Sequence, residues 1–309
     1  MRNANLHNLK VSNLTKTEDI SFLGLNISVH EDGSEYVFKV DQSGYLQSVL
    51  DMYEEETSKL RDAVTPCDEN VFKPIDEGPD AEVINITEYM SKLMRVRYLV
   101  RTRPDIELAI SALTTKSRAP VKGDMKRLNR VLCYLRATKE ICIIIRTVEE
   151  LKIYAYMDAG YAVHPKMESH SGVIVTMGKF GPPIHYKSLK QKLVTTSSTE
   201  AELVAIYDAL DFVLWMREIM EFLHCSQGTT TIYQDNTSTI CMAHMGRGSS
   251  SSRTKHIKLR YFWIKQFIDD KTFVIEHLPT DNMIADFFAS PRMGQHFRKM
   301  RELVMGRTN

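Results

Sequence analysis

Four acidic residues in the second half of the chain occupy the same kind of position, and they constrain the architecture more than any other feature. Residues 151–157 (LKIYAYM) alternate as a strand that ends in Asp158, and residues 229–234 form a second short strand ending in Asp235. Glu202 lies in the first turns of a helix opened by SSTEAE at 197–202, with an N-cap hydroxyl and early acids, and running to about Leu223. Asp286 lies at the start of a final helical stretch from Ile284 onward. Two further strands, 171–177 and 184–187, are joined by a Gly/Pro turn over 178–183. A Ser/Gly-rich loop at 246–252 precedes a helix from about His256 to Ile268, and 272–278 is a last strand. Strands with crossing helices imply an α/β unit, a mixed sheet flanked by helices.

In open α/β sheets, sites gather at the C-terminal ends of strands. Carboxylates converging there repel one another, and a divalent cation relieves that repulsion. Oxygen ligands without a His or Cys cage point to Mg2+ or Mn2+ rather than zinc. One strand-end Asp alone is ordinarily a turn or cap residue; the ordered set of four carries the metal reading. Glu200 and Glu202 lie about 200° apart on a helix, so both cannot face one cleft. Glu202 leads the stripe Ala205, Ile206, Ala209, Leu210 and Val213, which should face the sheet, and is therefore the candidate. Glu200 is then a helix-dipole acid.

The first half has a different texture. Residues 21–29 and 36–40 read as a hairpin about turn residues 31–34, followed by a helix with apolar Tyr45, Leu46, Val49, Leu50 and Tyr53. The acidic, Pro-containing stretch 65–80 reads as a loop. Helices are expected from Thr87 to about Thr102, from Pro104 to Leu113, and from Pro120 to Ala137. The domain boundary falls near residue 145, giving a smaller α+β region over 1–145 and the α/β unit over 146–309.

Net charge is +1, so a nucleic-acid partner must be held by local patches. Lys116, Arg118, Lys122, Lys126, Arg127, Arg130, Arg136 and Lys139 stand against only Asp124 and suggest a backbone-tracking basic surface; a solvated helix face is the plain alternative. Lys187, Lys190 and Lys192, before the acid-bearing helix, form a second group of phosphate-contact candidates. Arg253, Lys255, His256, Lys258 and Arg260, beyond the Ser-rich loop, form a third. His256 has the alternative role of a cap or packing residue. The 43% hydrophobic content excludes disorder of the whole chain. Cys67, Cys133, Cys142, Cys225 and Cys241 are scattered and contain no C-x-x-C pair, which argues against a disulfide scaffold and favours a reducing compartment. No stretch has signal-peptide character or approaches the ~18 apolar residues of a membrane helix, so a soluble intracellular protein is expected.

Taken in order, YMDAGYA at 156–162, SGV at 171–173, SSTEAEL at 197–203, YQDN at 233–236, RTKHI at 253–257 with Tyr261, and IAD at 284–286 resemble the ribonuclease H domain of copia-type retrotransposon polyproteins. The string ELVAIYDAL at 202–210 is also similar to the first helix of retroviral ribonucleases H. Upstream, FLG at 22–24, QSGY at 42–45, TP at 65–66, TRPDI at 102–106 and RVLCYL at 130–135 resemble the same polyproteins between polymerase active site and ribonuclease H. The resemblance implies a ribonuclease-H-like mixed sheet preceded by a reverse-transcriptase thumb or connection region. It implies hydrolysis of the RNA strand of an RNA–DNA hybrid, leaving a 3′-hydroxyl and a 5′-phosphate. Asp158, Glu202, Asp235 and Asp286 are then catalytic and hold two Mg2+ (or Mn2+) ions: Asp158 bridges both, Glu202 and Asp235 hold one, and Asp286 holds the other. It further implies a polymerase partner and a location in the cytoplasm, within a virus-like particle, or in the nucleus; oligomeric state is left open.

The polymerase's aromatic-x-Asp-Asp hairpin is expected upstream of residue 1, so DNA synthesis by this chain alone is not expected. FIDD at 267–270 mimics it but sits at a helix end and reads as an exposed capping segment. The family's usual second Asp is replaced by Gly160, and its Thr-Lys by Ala289-Ser290; Thr280-Asp281 replaces a longer His-bearing loop, as is usual for the copia type. One alternative is a decayed or domesticated fragment that binds nucleic acid without cutting it. Others are a structural partner of a complete polymerase, and an integrase or transposase, against which the order Glu202 before Asp235 speaks.

Overall fold

The computed structural model describes residues 19–32, 35–148, 150–245 and 255–307. Among them, β5 (Ile153–Gly160), β6 (His170–Met177), β7 (Pro183–Lys190), β8 (Thr230–Gln234) and β9 (Phe273–His277) form one sheet in the order β7-β6-β5-β8-β9. β5, β6 and β7 are an antiparallel meander, while β8 and β9 run parallel to β5. The connections dictate this. A tight turn joins β6 to β7, with Gly178 (φ 80) and Phe180 (φ 54) in the left-handed region. Helix α6 (Ser198–Phe222) instead carries the chain from β7 to β8, and α7 (Thr237–Met245) and α8 (Lys255–Asp269) carry it to β9, as parallel pairing requires.

Both faces of the sheet are covered. Leu203, Ala205, Ile206, Ala209, Leu210 and Val213 of α6 pack on Ile153, Ala155, Met157, Val173, Val175 and Ile232. The opposite face presents Tyr156, Ile174 and Tyr233 to a core shared with the first half of the chain, including Tyr89, Leu93, Leu128 and Leu132. That core is built by α3 (Ile86–Leu99), α4 (Glu107–Thr114) and α5 (Lys122–Ala137) with the C-terminal α9 (Asp286–Ala289) and α10 (Gly294–Val304). Polar contacts fasten it: Ser111 Oγ donates to Ser188 O at 2.6 Å, and Tyr186 OH to Val100 O at 2.7 Å.

A second, antiparallel sheet has the order β1-β2-β3-β4, from β1 (Ile20–Phe22), β2 (Leu25–Asp32), β3 (Glu35–Asp41) and β4 (Ile143–Arg146). Turn residues 33–34 lie outside the described residues. Two short helices, α1 (Ser43–Met52) and α2 (Glu54–Thr57), follow β3. The chain's end returns to this region: Ile144 N donates to Met305 O at 2.9 Å.

Several expectations need correction. β5 continues past Asp158 to Gly160, and β7 extends beyond Lys187 to Lys190, so Lys190 lies on the strand rather than after it. The last helical stretch breaks into α9 and α10, separated by Pro291 and closed by Gly294 (φ 60). The basic α5 surface is divided: Lys122, Lys126 and Lys139 are exposed, while its arginines clamp the loop below it. Arg127 donates to Asn70 O (2.9 Å) and Lys73 O (3.0 Å), Arg130 to Thr65 O (3.1 Å), Arg136 to Thr57 O and Leu60 O (both 2.8 Å), and Lys126 pairs with Asp80 (2.6 Å). A long loop packed against a core leaves carbonyls that need donors, and this helix supplies them. The loop is accordingly not a surface excursion: Thr65, Cys67, Val71 and Phe72 are buried, and Phe72 packs its ring on His164 and His170. Among the described residues no helix is long and apolar enough to cross a membrane.

Candidate active site

β5 and β8 are parallel neighbours with Tyr156 opposite Tyr233, so Asp158 and Asp235, each two residues further on, stand side by side just past the end of their ladder. α6 crosses this end with Glu202 turned inward. Its start is pinned by Gln191, whose side-chain amide donates to Ser171 Oγ and Ala201 O, both at 2.9 Å. One carboxylate oxygen from each of Asp158, Glu202 and Asp235 then lies within 4.8 Å of the others. Glu200 points elsewhere. It accepts from Thr196 N (2.8 Å) and Thr196 Oγ1 (2.7 Å), and its own N–H donates to Ser197 Oγ (3.2 Å), closing the cap of α6.

The fourth acid approaches from the other face. Gly172 stands opposite Asp158 in the ladder, and a Cβ there would lie 2.3 Å from Ala285 O and 2.6 Å from Ala289 N. Bare backbone at Gly172 is thus what lets α9 settle on β6 and bring Asp286 to the site. A Cβ at Gly160 would meet Ala289 O at 2.8 Å, so an Asp side chain cannot stand at 160 with α9 in this place. Asp286 nevertheless remains outside the close trio, because its carboxylate pairs with Arg292. The structure therefore brings together three of the four expected acids, with the fourth beside them in an ion pair.

Burial and mutual repulsion dominate the electrostatics. Asp158 is only 8% exposed, and its carboxyl is pushed up to about 8, first by burial and then by the charges of Asp286 and Asp235. The Ala159 amide and Arg292 oppose that shift. Glu202 is raised as well, by burial first and then by Asp158 and Asp235. Gln234, fully buried at the end of β8, donates from Nε2 to Glu202 Oε2 (3.2 Å), and its Oε1 accepts from Asp235 N (2.8 Å) and Asn236 N (3.0 Å). Thr280 Oγ1 donates to Asp235 Oδ2 at 2.7 Å. Three hard oxygen donors with uncompensated buried charge fit a divalent cation of the Mg2+ or Mn2+ kind and offer nothing to favour zinc.

Gln234, Thr280 and Arg292 escaped the sequence reading. Gln234 had a signal, a polar residue at an inward position of a fully buried strand; Thr280 and Arg292 owe their roles to loops whose course no local pattern reveals. Of the basic candidates, Lys187 and Lys192 are exposed, while Lys190 pairs with Glu168 at 2.8 Å. Arg253 lies outside the described residues, as do the side chains of Lys255, His256 and Lys258 on α8. Arg260 stacks on the Tyr207 ring at 4.7 Å. In the 267–270 segment, Asp269 pairs with Lys265 at the end of α8 and Asp270 is exposed, as expected of a helix end.

No protein-family model matches the sequence. Over 300 residues, 94% of the chain, it is 25% identical to the retrovirus-related Pol polyprotein from transposon TNT 1-94 of Nicotiana tabacum. Over 207 residues, 66% of the chain, it is 30% identical to the retrovirus-related Pol polyprotein from transposon RE2 of Arabidopsis thaliana. The chain spans 22% and 14% of the lengths of these two relatives. Among solved structures it is similar to LC11-RNase H1, isolated from compost by a metagenomic approach, with 21% identity and a TM-score of 0.35 over 44% of this chain and 91% of that one. These relatives, which match the chain along most of its length, are copia-type retrotransposon Pol polyproteins.

Proposed function

We propose that this chain is the ribonuclease H part of a retrotransposon reverse transcriptase, cutting the RNA strand of RNA–DNA hybrids inside the cell alongside the polymerase part. The observation that carries this is the trio of Asp158, Glu202 and Asp235 at one end of the β5–β8 ladder of a mixed sheet, in a chain with Pol polyprotein relatives. Residues 146–309 are the nuclease unit in this proposal, and 1–145 the connection that braces it.

Asp158, Glu202 and Asp235 would hold Mg2+ or Mn2+. When bound, the ion supplies the positive charge that activates water and stabilises the leaving oxygen. The chain's own groups do the positioning. Gln234 fixes Glu202 from one side and the backbone of Asp235 from the other, and Thr280 holds one oxygen of Asp235. Burial of Asp158 and Glu202 keeps solvent from screening the site. Lys187 and Lys192, exposed before α6, are free to grip phosphates, and RNA is told from DNA by its 2′-hydroxyl.

A second reading, a decayed fragment that binds without cutting, is favoured by the engagement of Asp286 with Arg292. The two part company when the purified chain is given labelled hybrid and Mg2+ beside an Asp158→Asn, Asp235→Asn double variant. Cleavage by the wild-type chain alone supports the nuclease; equal lack of cleavage with binding retained supports the binding fragment.

A further inference from the structure

Arg292 sits in the link between α9 and α10, held between Pro291 and the turn at Gly294. Its guanidinium pairs with Asp286 and lies within electrostatic range of Asp158. Its Nε is buried and has no hydrogen-bond partner among the described residues. Asp158, Glu202 and Asp235, by contrast, have no ammonium or guanidinium paired with them among the described residues. The resemblance implies two metal ions, the second drawing on Asp286.

We propose that Arg292 is a built-in cation at that second position: by holding Asp286 it leaves the site a single exchangeable divalent ion, at Asp158, Glu202 and Asp235. This rests on the metal-dependent reading above. The argument is one of ligands and charge. A hard divalent ion needs several oxygen ligands, and Oδ2 of Asp286 is already engaged by Arg292 Nη2. A guanidinium stays charged at any working pH, so no change of protonation releases Asp286 Oδ2 from Arg292 Nη2. A second divalent ion would be set against this fixed positive charge. The backbone of α9, which carries Asp286, is seated on the bare backbone of Gly160 and Gly172.

The test counts Mn2+ ions, with Mn2+ alone as the probe, on the full chain without nucleic acid, from the loss of the free-ion paramagnetic resonance signal. Wild type should take one Mn2+, Arg292→Ala two, and Arg292→Lys one. Removing Asp286 as well, in Arg292→Ala with Asp286→Asn, should return the count to one. Arg292→Gln carries the same expectation as Arg292→Ala should the latter not fold. Two ions on the wild type, or one on both neutral variants, would overturn the proposal and leave the metal site standing. No ion on the wild type would remove the metal reading, and this proposal with it.

Discussion

Asp105 and Asp158 are both buried carboxylates, and the chain treats them in opposite ways. Arg103 embraces Asp105 with two bonds, Nε to Oδ1 at 2.9 Å and Nη2 to Oδ2 at 2.7 Å, and Tyr134 OH adds a third to Oδ2 at 2.5 Å. The guanidinium is itself completed by Thr138, through its carbonyl at 3.0 Å and its hydroxyl at 2.7 Å. Asp158 has the Ala159 amide, and otherwise the like charges of Asp286 and Asp235, with Arg292 reaching it only past Asp286. A buried charge neutralised within the fold is architecture. One left without a counter-charge is the mark of a site that waits for something from outside.

The contrast can be broken from either end. Arg103→Ala strands the Asp105 charge in the core and should cost about 3–5 kcal/mol of stability, read by urea unfolding. Acidity should act on the other carboxylate. Because burial and its neighbours raise Asp158 from its ordinary value of 3.8 to about 8, the folded state holds a proton that the unfolded chain releases. That stabilisation is present below pH 4 and is lost as pH rises towards 8. The metal-free protein should therefore weaken by roughly 3–4 kcal/mol between pH 5 and pH 8, at up to about 1.4 kcal/mol per pH unit. Thermal melts with and without Mg2+ check this, since a bound cation should flatten the dependence. A melt that strengthens over the same interval contradicts it.

Asp158→Asn should have the opposite sign to Arg103→Ala. Above pH 8, where the carboxyl is ionised, it removes a repelled charge, so the metal-free protein should gain about 1–2 kcal/mol while losing its stabilisation by Mg2+. The smallest effect belongs to Gln234→Ala, which frees Glu202 without touching a charge. Mn2+ affinity should fall about tenfold by calorimetric titration, with the ion count unchanged.

How much of this could be read from the residues follows from how local each cause is. The stripe from Ala205 to Val213 and the alternation in β5 are set by neighbours a few positions apart, so the elements were legible and with them the mixed sheet. The phase of one helix is equally local, and it put Glu202 rather than Glu200 on the side where Asp158 stands. That the α5 arginines clamp a loop was not legible, because an arginine facing water and one facing a loop carbonyl are identical in sequence. Only the course of the loop from Thr57 to Asp80 distinguishes them. The capture of Asp286 by Arg292 was hidden for a similar reason: it depends on the break between α9 and α10 folding the link back over the site. Gly160 looked like a departure from the family; seen against Ala289 O at 2.8 Å from its Cβ position, it is a steric requirement of this chain.

The account turns on Asp158, Glu202 and Asp235 being an incompletely neutralised nest for a cation, and diffraction from crystals soaked in Mn2+ addresses that most directly. An anomalous peak among these three carboxylates is the predicted result. A trio that stays empty at saturating Mn2+, its acids protonated and hydrogen-bonded to one another, would contradict it.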